Sequence, residues 1–143
     1  MFSNSSKYAI KAVLYLALNT DENIRVTTKD IAAPINVPQR YIAKLLQQLA
    51  RQKVISSVKG PKGGFYLSEA NKNQPLISII VALNGEYKLN SCLLSLEDCN
   101  EDKPCPLHQL ASPLKTKLMY NLKSKTIGEI SLEIKEGISF LPL

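Results

Sequence analysis

The chain of 143 residues has one histidine, three cysteines and no apolar run long enough to cross a bilayer. Each scarcity removes a class of function. With His108 alone there is no serine–histidine–acid constellation, and no glycine-rich loop opens onto a helix to hold a nucleotide, so an enzyme is not expected. A thiol oxidoreductase would use Cys-x-x-Cys, which is missing. An odd number of cysteines argues against a disulfide framework and towards metal or redox chemistry. The longest apolar stretch, Tyr8 to Leu18, is interrupted by Lys11 and falls far short of the roughly 20 residues of a spanning helix. It has no charged leader and no small-residue cleavage site, so the protein is expected in the cytoplasm, off the membrane, where thiols stay reduced. Internal repeats and low-complexity segments are also absent.

Acidic residues are scarce in the first half. The net charge is +6, but residues 1–66 hold ten Lys or Arg against three acids, +7, while residues 67–143 hold eight against nine, −1. A polyanion-binding surface is therefore expected in the first half. Apolar residues make up 45 % and charged residues 21 %, enough apolar material for a core.

The run Tyr8–Ala17 predicts a mostly buried first helix in which Ala9, Ala12 and Ala17 permit close approach by neighbours. Thr27-Thr28-Lys29-Asp30 is a capping arrangement for a short helix Thr28–Ala33, expected to stop at Pro34. A turn through Asn36 leads to a third helix from about Pro38 to Gln52. Its apolar face carries Tyr41, Ile42, Leu45, Leu46 and Leu49, and its polar face Gln39, Arg40, Lys44, Gln47, Gln48 and Arg51. Two β-rich runs, Val54–Val58 and Phe65–Leu67, flank Lys59-Gly60-Pro61-Lys62-Gly63-Gly64, a hairpin with a doubly cationic glycine-rich tip. Helix, helix–turn–helix and hairpin form the winged-helix order.

An apolar helix Pro75–Leu83 follows, stopped by Asn84-Gly85. A loop from about Glu86 to Pro106 holds every cysteine. Leu107, Leu110, Leu114, Leu118 and Leu122 then stripe a further helix, with Pro113 expected to kink or divide it. Thr126-Ile127-Gly128-Glu129 predicts a capping box before a last short helix and an apolar tail. The fold class is mainly α with a small β-hairpin.

A helix can enter the major groove of duplex DNA, where Gln39 matches adenine and Arg40 matches guanine in bidentate fashion. Lys44 and Arg51 lie further along and suit phosphates. Glycines in the hairpin let the backbone approach DNA while Lys59 and Lys62 supply charge. The candidate DNA-binding set is Thr28, Pro38, Gln39, Arg40, Tyr41, Lys44, Arg51, Lys59, Gly60, Pro61, Lys62 and Gly63, with Tyr41 and Tyr8 read first as core aromatics. In the loop, Cys92, Cys99, Cys105 and His108 give C-x6-C-x5-C-x2-H, a donor set that suits zinc or an iron–sulfur cluster. Reversible disulfide formation and inert thiols are the other readings of these cysteines. Glu97, Asp98, Glu101 and Asp102 against Lys103 make the loop acidic, which opposes an RNA-binding finger.

Tyr8-Ala9-Ile10, Tyr41-Ile42 with Leu45 and Leu49, and the segment Val54–Leu67 closely resemble the winged-helix transcriptional regulators that include IscR, NsrR and CymR. The resemblance spans nearly the whole chain. It implies a homodimer on a pseudo-palindromic operator in double-stranded DNA, one recognition helix and one wing per half-site. It also implies dimerisation through the helix carrying Leu110, Leu114, Leu118 and Leu122. IscR-like members hold a 2Fe-2S cluster with three cysteines and a histidine in this loop, which favours Cys92, Cys99, Cys105 and His108 as its ligands and leaves zinc second. Together these imply a repressor that senses iron–sulfur or redox status. The same regulator without a cluster, controlled by thiol oxidation, zinc or a protein or small-molecule effector, is the alternative. Three departures stand out: Asn36 replaces a turn glycine, Pro38 a capping hydroxyl, and Ala43 a glutamate that helps IscR-like members choose between operators. The first cysteine interval is one residue longer than in those members, and Tyr8 stands where an NsrR-like 4Fe-4S site would have an acidic ligand. The expected units are residues 1–74 for DNA binding, 75–126 for the dimerisation helices with the cysteine loop at 86–106, and 127–143 for the short helix and tail.

Overall fold

The computed structural model describes residues 2–143. Helix α1 (Asn4–Asn19) starts four residues before the expected Tyr8, because the Ser3 hydroxyl accepts the Ser6 N–H at 3.1 Å and caps it. Ala9, Ala12, Val13 and Leu16 are wholly buried, and α1 forms the hub of the fold. Its end is tied to the hairpin by buried Thr20, whose hydroxyl accepts the Leu67 N–H at 3.0 Å and donates to the Leu16 carbonyl at 2.6 Å.

Helix α2 (Thr28–Ile35) opens on the capping box of Thr27 and Asp30. It runs through Pro34 rather than stopping there. A proline in the last turn removes a single helical bond, and burial of Ile35 holds that turn in place. Asn36 then closes the helix in the left-handed conformation, φ 58°, the role expected of a residue at a turn-glycine position. Helix α3 (Gln39–Arg51) buries Ile42, Leu46 and Leu49 completely, each contributing about 1.5–3 kcal/mol relative to exposure. Lys53, φ 62°, ends it.

Strands β1 (Ser56–Val58) and β2 (Gly64–Tyr66) pair antiparallel, Ser57 opposite Phe65. They are shorter than the β-rich runs because Val54 and Ile55, each 2 % exposed, drop into the core. Val26 adds a third, single-residue rung: its N–H donates to the Phe65 carbonyl at 3.1 Å and its carbonyl accepts the Phe65 N–H at 2.8 Å.

A one-turn helix not anticipated from the sequence, α4 (Glu69–Lys72), follows under a Ser68–Asn71 capping box. Helix α5 (Ile77–Ala82) is closed by Asn84 at φ 54°, with the Gly85 N–H on the Ile80 carbonyl, so the Asn-Gly stop works as expected. The expected loop begins as helix α6 (Glu86–Asn90), whose Leu89 packs with Ile80 and Leu122 in a second apolar cluster. Helix α7 (His108–Ser124) is one continuous element through Pro113, so of the expected kink or division the division does not occur. Pro113 and Gln109, whose carbonyl loses its helical donor, both lie on the solvent face, where water can take the donor's place. Thr126 and Glu129 form the expected capping box of α8 (Ile127–Lys135), which packs back onto α1 and buries Ile127 in the main core. No helix of the described residues is long and apolar enough to cross a membrane.

Candidate functional site

Two features carry chemistry, a basic groove on the first half and a thiol pocket on the second. The groove lies between the later turns of α3 and the hairpin and has a volume of about 710 Å³. Thr28, Arg51, Lys59, Gly60 and Gly63 of the sequence-derived set line it, joined by Thr27, Gln47 and Ser57. Gln47 was legible as part of the polar face of α3. Ser57 was not, because only the pairing of β1 with β2 turns it towards the groove. Gln39, Arg40 and Lys44 are exposed on the first two turns of α3, and Pro61 and Lys62 at the hairpin tip. Pro38 is the residue before α3 and makes no side-chain cap.

Tyr41 is turned away from this surface. Its ring meets Tyr8 edge-on with centroids 5.7 Å apart, and its hydroxyl lies 3.0 Å from that of Ser5, so it seats α3 on α1. Gln48, also on the polar face, donates to the Ala82 carbonyl at 3.0 Å and joins α3 to α5. The tip needs its glycines for steric reasons. A Cβ on Gly63 would lie 2.1 Å from the Val58 carbonyl oxygen, and one on Gly64 2.6 Å from that of Val26.

The second site is a cavity of about 190 Å³ whose wall includes Cys92, Cys99, Cys105 and His108. Three thiols from the loop and one imidazole from the first turn of α7 thus face one space, and the acidic Glu97 and Asp98 line it too. Cys92 Sγ and Cys105 Sγ are 3.4 Å apart. Hydrogen bonds from the backbone of Ser95 and of Leu94, then from the Cys105 thiol, hold the Cys92 thiol down to about 7 from its ordinary 9.0. Lys115 Nζ lies 3.6 Å from Cys99 Sγ and donates to the Ser91 carbonyl. Sequence reasoning missed Lys115. The available signal was its place seven residues after His108, which two helical turns bring to the same face.

Sulfur-rich donors around one space fit a thiolate-bound metal centre in their chemistry. Among the described residues, no three His, Cys, Asp or Glu side chains are drawn to metal-holding geometry, so the donor set is gathered but not preassembled.

The leucine stripe of α7 divides. Leu110 and Leu114 are 69 % and 67 % exposed, Leu118 is half-buried, and Leu122 is buried against Ile80 and Leu89. Four-residue spacing drifts by about 40° per step on a 3.6-residue helix, which carries Leu122 to the inner face.

Residues 2–132 match the model of the Rrf2 family, described as an iron-dependent transcriptional regulator. An HTH-type transcriptional regulator of Aquifex aeolicus is 35 % identical over 132 residues, covering 91 % of this chain and 90 % of that one. Among solved structures, CymR, the global cysteine regulator of B. subtilis, superposes with a TM-score of 0.72 at 21 % identity, covering 92 % of this chain and 96 % of that one. IscR of T. potens superposes at 0.71 with 20 % identity, covering 97 % and 91 %. The mainly helical winged-helix architecture is shared with both. Matched over most of its length by the family model and by a relative of similar size, the chain belongs to the Rrf2 family of transcriptional regulators.

Proposed function

We propose that the protein is a homodimeric, sequence-specific DNA-binding repressor whose grip on its operator is set by a 2Fe-2S cluster at Cys92, Cys99, Cys105 and His108. The observation that carries this reading is the convergence of those four donors on one cavity beside α7. The likeness to IscR adds support. Arg40 and Gln39 read base edges from the first turn of α3, while Lys44, Arg51, Lys59 and Lys62 hold phosphates. The exposed Leu110 and Leu114 form the face for a second copy.

When bound, the cluster supplies an oxidant-sensitive link between the loop and α7. Cys92, Cys99 and Cys105 would hold it from the loop and His108 from α7. Two reading heads must sit about one helical turn apart on DNA, so a shift at the base of the dimerisation helix changes operator affinity. Such a link acts only through different affinities of the two states for DNA.

Anaerobic reconstitution with iron and sulfide tests the cluster. Visible absorbance and a paramagnetic signal after reduction are expected in the native chain, and their loss in the Cys92→Ala, Cys99→Ala, Cys105→Ala triple variant. Protein that stays colourless defeats the cluster reading. Absence of any preference for a promoter fragment over random duplex, in every cofactor state, defeats the DNA reading.

One observation favours a second mode of control. The 3.4 Å approach of Cys92 Sγ to Cys105 Sγ, with the lowered Cys92 thiol, suits reversible disulfide formation in the absence of metal. Iron analysis of anaerobically purified protein separates the two.

A further inference from the structure

Helices α1 and α8 leave an apolar slot between them. Ile10 and Leu14 of α1 and Ile130 and Ile134 of α8 form its walls, and Leu141 and Pro142 close one side. The tail reaches that position because Gly137, φ +75°, reverses the chain after α8. Its N–H donates to the Ile134 carbonyl at 3.1 Å, and the Ile138 N–H donates to the Glu133 carbonyl at 2.9 Å. The slot has a volume of about 460 Å³, inside the range of about 300–1,000 Å³ usual for small-molecule sites.

Its polar side is of one sign. Lys7 and Lys11, one helical turn apart on α1, line the slot, and among the described residues no carboxylate side chain does. The ion pairs found among the described residues join Lys72 to Glu69 and Lys125 to Glu133, and neither Lys7 nor Lys11 takes part. Lys11 Nζ instead lies 5.8 Å from the centre of the Tyr8 ring. Apolar walls with two unneutralised ammonium groups select a molecule with an apolar body and one anionic end. A DNA phosphate would use the lysines and leave the walls empty.

Tyr8 also lines the slot, and the other side of its contact is Tyr41 on α3. Whatever fills the slot therefore bears on the aromatic pair that seats the reading helix.

We infer that this slot binds an amphipathic carboxylate of the medium-chain fatty acid class, its chain between α1 and α8 and its carboxylate at Lys7 and Lys11, and that occupancy shifts α3 through Tyr8 and Tyr41. The coupling half rests on the DNA-binding reading above; the binding half does not.

The probe is decanoate, titrated calorimetrically into the full-length native chain without DNA. Saturable binding of one decanoate per chain is expected, with decanol, the same body without the charge, at least tenfold weaker. The Lys7→Gln, Lys11→Gln double variant, which changes no core residue, should weaken decanoate at least tenfold with an unchanged circular dichroism spectrum. Ile134→Trp should fill the slot and block binding. No binding of decanoate, equal affinity for decanol, or indifference to the lysines overturns the inference. So does loss of operator affinity in the double variant with decanoate binding intact, since the lysines would then be phosphate contacts. Sedimentation showing that decanoate binds only by dissociating the dimer would assign the slot to a second copy and also overturn it. For the coupling, operator affinity should change at least fivefold at saturating decanoate, and an unmoved affinity overturns that half. Retained decanoate binding by a chain that ignores every duplex upholds the site and defeats the DNA reading instead.

Discussion

The side-chain amide of Asn71, 6 % exposed, donates to the carbonyl of Lys53 at 3.2 Å, while its own oxygen accepts from Ser56 Oγ, Ser68 Oγ and the Ser68 N–H. One asparagine thus ties the end of α3, the first residue of β1 and the cap of α4 together. The Lys53 carbonyl also accepts from Gln74 Nε2 at 2.7 Å.

Replacing Asn71 with Ala strands the Ser68 N–H and the Ser56 hydroxyl, so a loss of about 1–3 kcal/mol is expected. Urea denaturation checks it. A change below about 0.5 kcal/mol, the ordinary surface value, would show that water replaces the amide.

Gly63→Ala should damage the hairpin tip while leaving the helices intact, because the new methyl meets the Val58 carbonyl oxygen at 2.1 Å. Amide proton spectra are expected to change through residues 58–65 with little movement of the thermal midpoint, and operator affinity should fall. Wild-type spectra would mean that the tip rearranges freely.

Arg40→Ala and Lys59→Ala should differ in kind. Loss of a base contact costs about 1–3 kcal/mol and relaxes specificity at one position, whereas loss of a phosphate contact weakens every sequence and lowers the salt slope by about 1. Binding of both variants across a set of single-base operator changes distinguishes the roles. If Arg40→Ala weakens all sequences equally, Arg40 is a backbone contact.

Acid stability should depend on the two capping carboxylates. The Asp30 carboxyl is held below its ordinary 3.8 by the Thr27 backbone N–H and then the Thr27 hydroxyl; that of Glu129 is held below 4.5 chiefly by the Thr126 backbone N–H. Folding favours the ionised form of each, so their contribution is complete above the ordinary values and disappears as pH falls through the lowered ones. An Asp30→Asn, Glu129→Gln variant should be less stable than wild type near neutrality. The gap should close on acidification below pH 4.5. A gap independent of pH would place the effect elsewhere.

Local chemistry was readable from the residues. The Thr27–Asp30 and Thr126–Glu129 caps, the left-handed Asn36, the apolar face of α3 and the glycine-rich tip each depend on side chains within a few positions of one another. So did the collection of every cysteine in one segment, and the charge of +7 on residues 1–66. Three-dimensional packing settled the rest. Pro34 and Pro113 sit inside helices because neighbouring burial and solvent exposure offset a lost bond, which periodicity does not register. Val26 joins the sheet from 39 residues away, and Leu122 leaves the exposed leucine stripe for Ile80. These contacts join residues far apart along the chain, and their energy depends on which surfaces the folded core brings together.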